Sequence, residues 1–247
     1  MYEKYVEVDR RRVRYKVAGS GKPVVLVHGL AGSMRWWTTT IPALAAQYQV
    51  YLVDLPGFGS MRDFPSGFVL EEAASWLLAW MKEVGLQRVH LVGHSMGALI
   101  CAHAAAQEPQ AVDCLVLVDA AGVPTNRAVL EHIWPLMQEC LFSSPSFLPI
   151  LLYDSLRAGP LTLWRAAMAV LTHDVRDDLR LIKAPTLIIW GEKDALVPPS
   201  VGYVLRQEIA HSRLIIIKGS RHVPMMDKPR ALNRALLSFF AGHSVGE

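Results

Sequence analysis

The stretch that most constrains this chain is Gly93-His94-Ser95-Met96-Gly97. It follows Arg88 to Val92, which is β-branched and apolar. It precedes Ala98 to Gln107, a run of strong helix formers without a breaker. A strand that turns directly into a helix leaves no space for side chains at the flanking positions, hence glycine. It also forces the central residue into a strained backbone conformation. The strain lifts the Ser95 hydroxyl clear of the sheet and sets it over the helix N-terminus, where the peptide dipoles favour negative charge. A serine at such a corner is a nucleophile elbow.

Around this corner the chain alternates strands and helices. Val6–Val8 and Val13–Val17 read as an edge hairpin, Val24–Val27 as a buried strand, Trp36–Gln47 as a helix made irregular by Pro42, and Val50–Val53 as a strand. Leu70–Val84 is an amphipathic helix closed by Gly85, and Asp113–Val118 is another buried strand. Strands apolar on both faces, separated by helices, predict a mostly parallel sheet covered on both sides. The alternation stops between residues 123 and 179, where tryptophans, phenylalanines and prolines accompany helical pieces. We read that segment as an inserted helical cap on a core formed by residues 1–122 and 180–247. The pattern resumes with the strand Thr186–Trp190, a helix over Ser200–Ile209, the strand Arg213–Ile217 and a last helix over Pro229–Ala241.

At 247 residues with 52% hydrophobic and 19% charged residues, the chain has ample material for a large buried core. The net charge of +3 is scattered apart from Arg10, Arg11, Arg12 and Arg14, which read as a solvated turn. Without an aromatic platform or recognition motif, no nucleic-acid partner is expected. Cys101, Cys114 and Cys140 sit in apolar surroundings and read as free thiols in a reducing compartment. The charged N-terminal stretch does not read as a signal peptide, and no apolar run is long enough to span a membrane. The expectation is a soluble, cytoplasmic protein, monomeric or homodimeric.

Polar residues collect where strands end: His28-Gly29, Asp54, Ser95, Asp119, Asp194 and His222. In an open parallel sheet, that edge is where ligands bind. A nucleophilic serine needs a base for its proton, and the base needs a carboxylate to fix its tautomer. The order Ser95, Asp194, His222 suits one fold in particular. With His28-Gly29, Asp54-x-Pro56-Gly57-x-Gly59, Gly93-x-Ser95-x-Gly97, Gly191-x-x-Asp194 and His222-x-Pro224, the chain resembles an α/β-hydrolase-fold serine hydrolase almost throughout, outside the cap.

The resemblance implies a mostly parallel eight-stranded sheet flanked by helices, Ser95 as nucleophile, His222 as general base and then acid, and Asp194 as its carboxylate. It implies an oxyanion hole from the backbone N–H groups of Leu30 and Met96. Asp119 is the rival for the acid, since some members of the fold place it after the earlier strand. His28 reads as a brace of the oxyanion loop, Asp54 as a loop brace, and His90, His94 and His103 as structural. Two positions depart from the family pattern: Ala98, where relatives often have a further glycine, and Arg221, where they usually have a small residue.

Serine at the elbow sets aside the dehalogenases and epoxide hydrolases of this fold, which use aspartate. The reading that follows is a carboxylesterase acting on small to medium, largely apolar acyl esters. Candidate lining residues are Trp36, Trp134, Met137, Phe142, Leu152, Trp164 and Val197. Two alternatives remain: carbon–carbon bond hydrolysis of vinylogous diketone acids, with Arg35, Arg157, Arg165 or Arg221 binding the acid, and a slow-turnover, receptor-like binding module. No cofactor is implied, and no group of histidines, cysteines and carboxylates shows metal-ligand spacing, so no metal is expected.

Overall fold

The computed structural model describes residues 1–63, 69–122 and 145–243. Period-2 alternation builds its centre. In β3 (Pro23–Val27), Val24 and Leu26 pack into one apolar cluster while Val25 and Val27 pack into another, and all four are buried. The same division recurs in β5 (Val89–His94), where Leu91 and Val92 separate, and in β7 (Thr186–Gly191), where Ile188 and Ile189 do. Both faces of the sheet therefore carry a core, which is why these strands read as continuous apolar runs. Each fully buried Val, Leu or Ile contributes about 1.5–3 kcal/mol.

The sheet has eight strands in the order β1-β2-β4-β3-β5-β6-β7-β8, completed by β1 (Tyr2–Val8), β2 (Arg11–Ala18), β4 (Gln49–Val53), β6 (Val112–Val118) and β8 (Ser212–Ile217). β1, β2 and β4 pair antiparallel; every other pairing is parallel. Val8 pairs with Arg11, so Asp9 and Arg10 alone make the first hairpin turn, with φ of 50° and 61°. Two left-handed residues form the turn whose twist matches that of the strands. The arginine cluster thus begins in a tight turn, as its sequence suggested.

Helices cover the sheet. In α1 (Ile41–Ala45) and the 3₁₀ turn Met34–Trp37 the structure corrects the single helix expected over Trp36–Gln47. Pro42 has no N–H to continue a helix from Thr38 and is tolerated in the first turn of α1 instead. α2 (Leu70–Val84) buries Leu70, Ala73, Ala74, Leu77, Trp80 and Met81 on one face. It ends where Gly85 turns left-handed and Leu86 N–H reaches the Met81 carbonyl. α3 (Met96–Gln107) follows β5 without a linker beyond Ser95.

Between β6 and β7 the described residues form α4 (Leu148–Ala158), α5 (Pro160–Thr172) and α6 (Arg176–Leu181), with no strand among them. α7 (Pro199–Glu208), a short α8 (Pro224–Asp227) that the sequence reading did not foresee, and α9 (Pro229–Phe240) complete the chain. Cys101 is buried and Cys114 half-buried, both free; Cys140 lies outside the described residues. Among the described residues no helix is long and apolar enough to cross a membrane.

Candidate active site

Ser95 stands alone between β5 and α3 with φ 53° and ψ −119°, far from any ordinary basin for a residue with a Cβ. Holding it there costs about 1–3 kcal/mol, which the surrounding sheet must supply. Its N–H donates to the Val118 carbonyl at 2.9 Å, extending the β5–β6 ladder past the corner. The flanking glycines are steric requirements. A Cβ on Gly93 would overlap the Gly97 carbonyl oxygen and lie 2.5 Å from Ala98 Cα; one on Gly97 would overlap the His28 carbonyl.

Three elements converge on the hydroxyl. Ser95 Oγ lies 3.0 Å from His222 Nε2, and His222 Nδ1 lies 2.7 Å from Asp194 Oδ2. Asp194 follows β7 in the Gly191–Asp194 turn, and its other oxygen accepts the N–H groups of Leu196 and Val197, both at 2.9 Å. All three side chains are buried. An ionised carboxylate only accepts, so His222 carries a proton on Nδ1 and turns the Nε2 lone pair toward Ser95. That arrangement lets the imidazole take the serine proton.

Asp119 is also buried, with φ 44°, and groups with Asp194 and His222 within 4.8 Å. Its Oδ1 accepts the Gly191 N–H at 2.7 Å, so it ties the end of β6 to the turn that carries Asp194. Arg221 is half-buried and donates its backbone N–H to Asp227 at 2.9 Å.

The loop after β3 is braced by two groups. His28 Nδ1 donates to the Gly29 carbonyl at 2.8 Å, and its Nε2 accepts the Leu55 N–H at 3.0 Å, so its tautomer is fixed. Asp54 accepts the Met34 N–H at 2.7 Å on one oxygen, and on the other the Ser60 N–H and hydroxyl at 2.8 and 2.7 Å. Leu30 is half-buried in this loop, and Met96 opens α3. The Met96 N–H, in the first turn of a helix, has no intrahelical acceptor.

His94 does something the sequence did not suggest. Its Nε2 donates to the His222 backbone carbonyl at 2.6 Å, and its ring lies 5.1 Å from that of His222. Burial pushes both His28 and His94 below the ordinary histidine value, His94 the further because of the neighbouring His222. Both are neutral braces at neutral pH.

Of the candidate lining residues, Trp36 is buried, edge-on to Phe147 at 5.0 Å and 5.7 Å from His94. Half-buried Val197 packs on the apolar cluster that includes Met96. Leu152 and Trp164 lie 55% and 63% exposed, on the outer surface of α4 and α5. Trp134, Met137 and Phe142 lie outside the described residues. An unforeseen link joins α4 to the β3 loop: buried Asp154 accepts the Ser33 hydroxyl at 2.7 Å and pairs with Arg35 at 3.4 Å. Arg35 also stacks on Tyr153 at 4.4 Å, and Arg157 bonds the Tyr153 hydroxyl at 3.0 Å. A groove of about 670 Å³ between the β1–β2 turn, α2 and α5 contains none of the three convergent residues.

A parallel sheet with a strained serine at the β5–α3 corner, and a histidine and carboxylate from later strand ends, defines a family. Residues 22–140 and 149–229 match the family described as alpha/beta hydrolase fold, and the chain belongs to it. Over 258 residues it is 28% identical to a pimeloyl-[acyl-carrier protein] methyl ester esterase of Neisseria meningitidis, covering 94% of this chain and 99% of that protein. It is 29% identical over 262 residues to the dihydrolipoyllysine-residue acetyltransferase component of an acetoin cleaving system from Pseudomonas putida, covering 96% of this chain and 69% of that one. Among solved structures, a bromoperoxidase from Bacillus anthracis superposes with a TM-score of 0.84 at 26% identity, covering 97% of this chain and all of the other.

Proposed function

We propose that the protein is a serine carboxylesterase for small to medium, largely apolar acyl esters. The observation that carries this is the hydrogen-bond chain from Ser95 Oγ through His222 to Asp194, with Ser95 strained at the head of α3. In this reading Ser95 Oγ attacks the ester carbonyl while His222 Nε2 takes its proton. The oxyanion forms facing the backbone N–H groups of Leu30 and Met96, each supplying about 3 kcal/mol of transition-state stabilisation. His222 returns the proton to the departing alcohol, leaving an acyl group on Ser95. Water, deprotonated by the same imidazole, then releases the carboxylic acid. Asp194 holds the tautomer, and Asp119 shapes its turn.

In this reading residues 123–179 serve as the cap, and Trp36, 5.7 Å from the His94 ring, and Val197, whose N–H bonds Asp194, belong to the acyl pocket. The relatives support acyl chemistry: one is named for a methyl ester, another for acetyl transfer. The carbon–carbon reading needs a cation for the substrate acid. Arg35 and Arg157 already engage Asp154 and Tyr153, and Arg165 lines the groove that contains none of the three convergent residues, which leaves Arg221 for that role.

A panel of p-nitrophenyl esters of increasing acyl length, run on wild type and Ser95→Ala, tests the reading. Multiple turnover on short and medium esters, lost in the variant, supports it. A burst without turnover favours the receptor-like alternative, and activity that survives Ser95→Ala defeats it.

A further inference from the structure

A second set of convergent ligands lies outside the Ser95 site. His103 on α3, His173 just beyond α5 and Asp178 on α6 offer ligand atoms within 4.8 Å of one another. Their positions in the chain have no motif-like spacing, so only the fold brings them together.

His103 is hydrogen-bonded to a carboxylate, and His173 has one beside it. His103 Nδ1 lies 2.6 Å from Asp178 Oδ2, and His173 Nδ1 lies 3.3 Å from Glu71 Oε1. On His173 a proton at Nδ1, on the side of Glu71, leaves the Nε2 lone pair over, while at His103 an ion would take the place of the proton between Nδ1 and Asp178. His173 Nε2 is buried and has no hydrogen-bond partner among the described residues. A buried, unsatisfied acceptor is unfavourable and wants an explanation. A carboxylate on the far side of a ligating histidine is the usual second layer of such metal sites, and Glu71 stands on the Nδ1 side of His173.

The ring centroids of His103 and His173 are 6.2 Å apart at 84°. Two imidazoles on one zinc, with Zn–N of about 2.1 Å, place their centroids about 5 Å apart. Roughly 1 Å of side-chain approach closes the difference. Side chains of His103, His173 and Asp178 are 12%, 22% and 24% exposed, so an ion can reach them without unfolding.

We propose that His103, His173 and Asp178 bind a divalent transition-metal ion, Zn²⁺ by ligand type, with Glu71 orienting His173. Two imidazoles and one carboxylate suit zinc, cobalt or nickel; magnesium and calcium need oxygen ligands. A fourth position is left for water. The ion clamps the β6–β7 segment, through His173 and Asp178, to α2 and α3. The comparable cluster of His90, Asp113 and Cys114 is a poor rival, because Lys22 and Arg88 already neutralise Asp113.

The test uses the full-length chain without a histidine tag, stripped with a chelator. Zn²⁺ binding is read by calorimetry, by melting temperature, and by the visible spectrum of Co²⁺. One equivalent should bind with a tetrahedral Co²⁺ spectrum and raise the melting temperature by mass action, and Mg²⁺ should not. His173→Ala and Asp178→Asn should each weaken Zn²⁺ binding at least 10- to 100-fold and Glu71→Gln about tenfold, leaving metal-free stability nearly unchanged. If His173→Ala fails to fold, the isosteric Asp178→Asn and Glu71→Gln decide alone. Zn²⁺ binding undiminished in these variants, an equal response to Mg²⁺, or no binding tighter than about 1 mM overturns the proposal.

Discussion

Replacing Asp194 with asparagine alters a single proton acceptor at almost constant shape. Oδ1 of Asp194 receives two backbone N–H groups at 2.9 Å, while Oδ2 faces His222 Nδ1 at 2.7 Å. Those two donors demand an oxygen, so in Asp194→Asn the amide oxygen takes the Oδ1 place and the NH₂ group faces His222. An NH₂ group only donates, so His222 must present a bare Nδ1 and carry its proton on Nε2. That tautomer cannot accept the Ser95 proton. The kcat/KM for a p-nitrophenyl ester should fall about 10⁴-fold, equivalent to about 5 kcal/mol of transition-state stabilisation. Asp119→Asn keeps the oxygen that Gly191 N–H uses at 2.7 Å, so its loss should stay within about tenfold. Steady-state kinetics normalised to folded protein provide the assay. A larger loss from Asp119→Asn, or an Asp194→Asn variant within tenfold of wild type, refutes the reasoning.

Other perturbations bear on the supporting residues. His94→Phe keeps a ring but removes the donor that His94 gives the His222 carbonyl; denaturant unfolding should show a loss of about 1–2 kcal/mol, with kcat falling more than KM rises. Gly93→Ala pushes a methyl into backbone atoms that cannot yield, so about 3 kcal/mol or more is lost and activity falls with it, seen as a lowered melting temperature. Burial, reinforced by Lys22, pushes His90 down to about 4 against the pull of Asp113. The unfolded chain therefore takes the proton first, and stability present above about pH 6.5 is lost as pH falls toward 4. His90→Phe, which preserves the 4.4 Å stack on Phe240, should reduce the stability lost between pH 7 and pH 4.5 by about 1–2 kcal/mol in urea titrations. An unchanged acid limb would show that other buried groups, His28 and His94 among them, dominate it.

The strands were legible because parallel pairing buries both faces and leaves apolar runs bounded by turn residues. Leu70–Val84 was legible to the residue because its apolar face repeats every three to four positions and Gly85 supplies the left-handed stop. Trp36–Gln47 was misread as one helix, since composition does not say where a proline divides a segment into two short turns. The strand-end residues could be nominated because a parallel sheet carries its chemistry at one edge. The Ser33–Asp154 bond, 121 residues apart in sequence, and the His94 bond to the His222 carbonyl have no local signature. Leu152 and Trp164 were nominated on hydrophobicity, yet a helix face that is apolar on both sides of its axis does not reveal which side turns outward. His103 was read as structural, and its grouping with His173 and Asp178 had no local signature for a related reason: tertiary packing, not chain spacing, makes them neighbours.

The central claim is that Ser95 carries the acyl group. Mass analysis of the enzyme quenched in acid during turnover of a p-nitrophenyl ester tests it most directly. The account predicts one acyl adduct, on the peptide that contains Ser95, absent in Ser95→Ala. An adduct on another residue, or full turnover by Ser95→Ala, would contradict it.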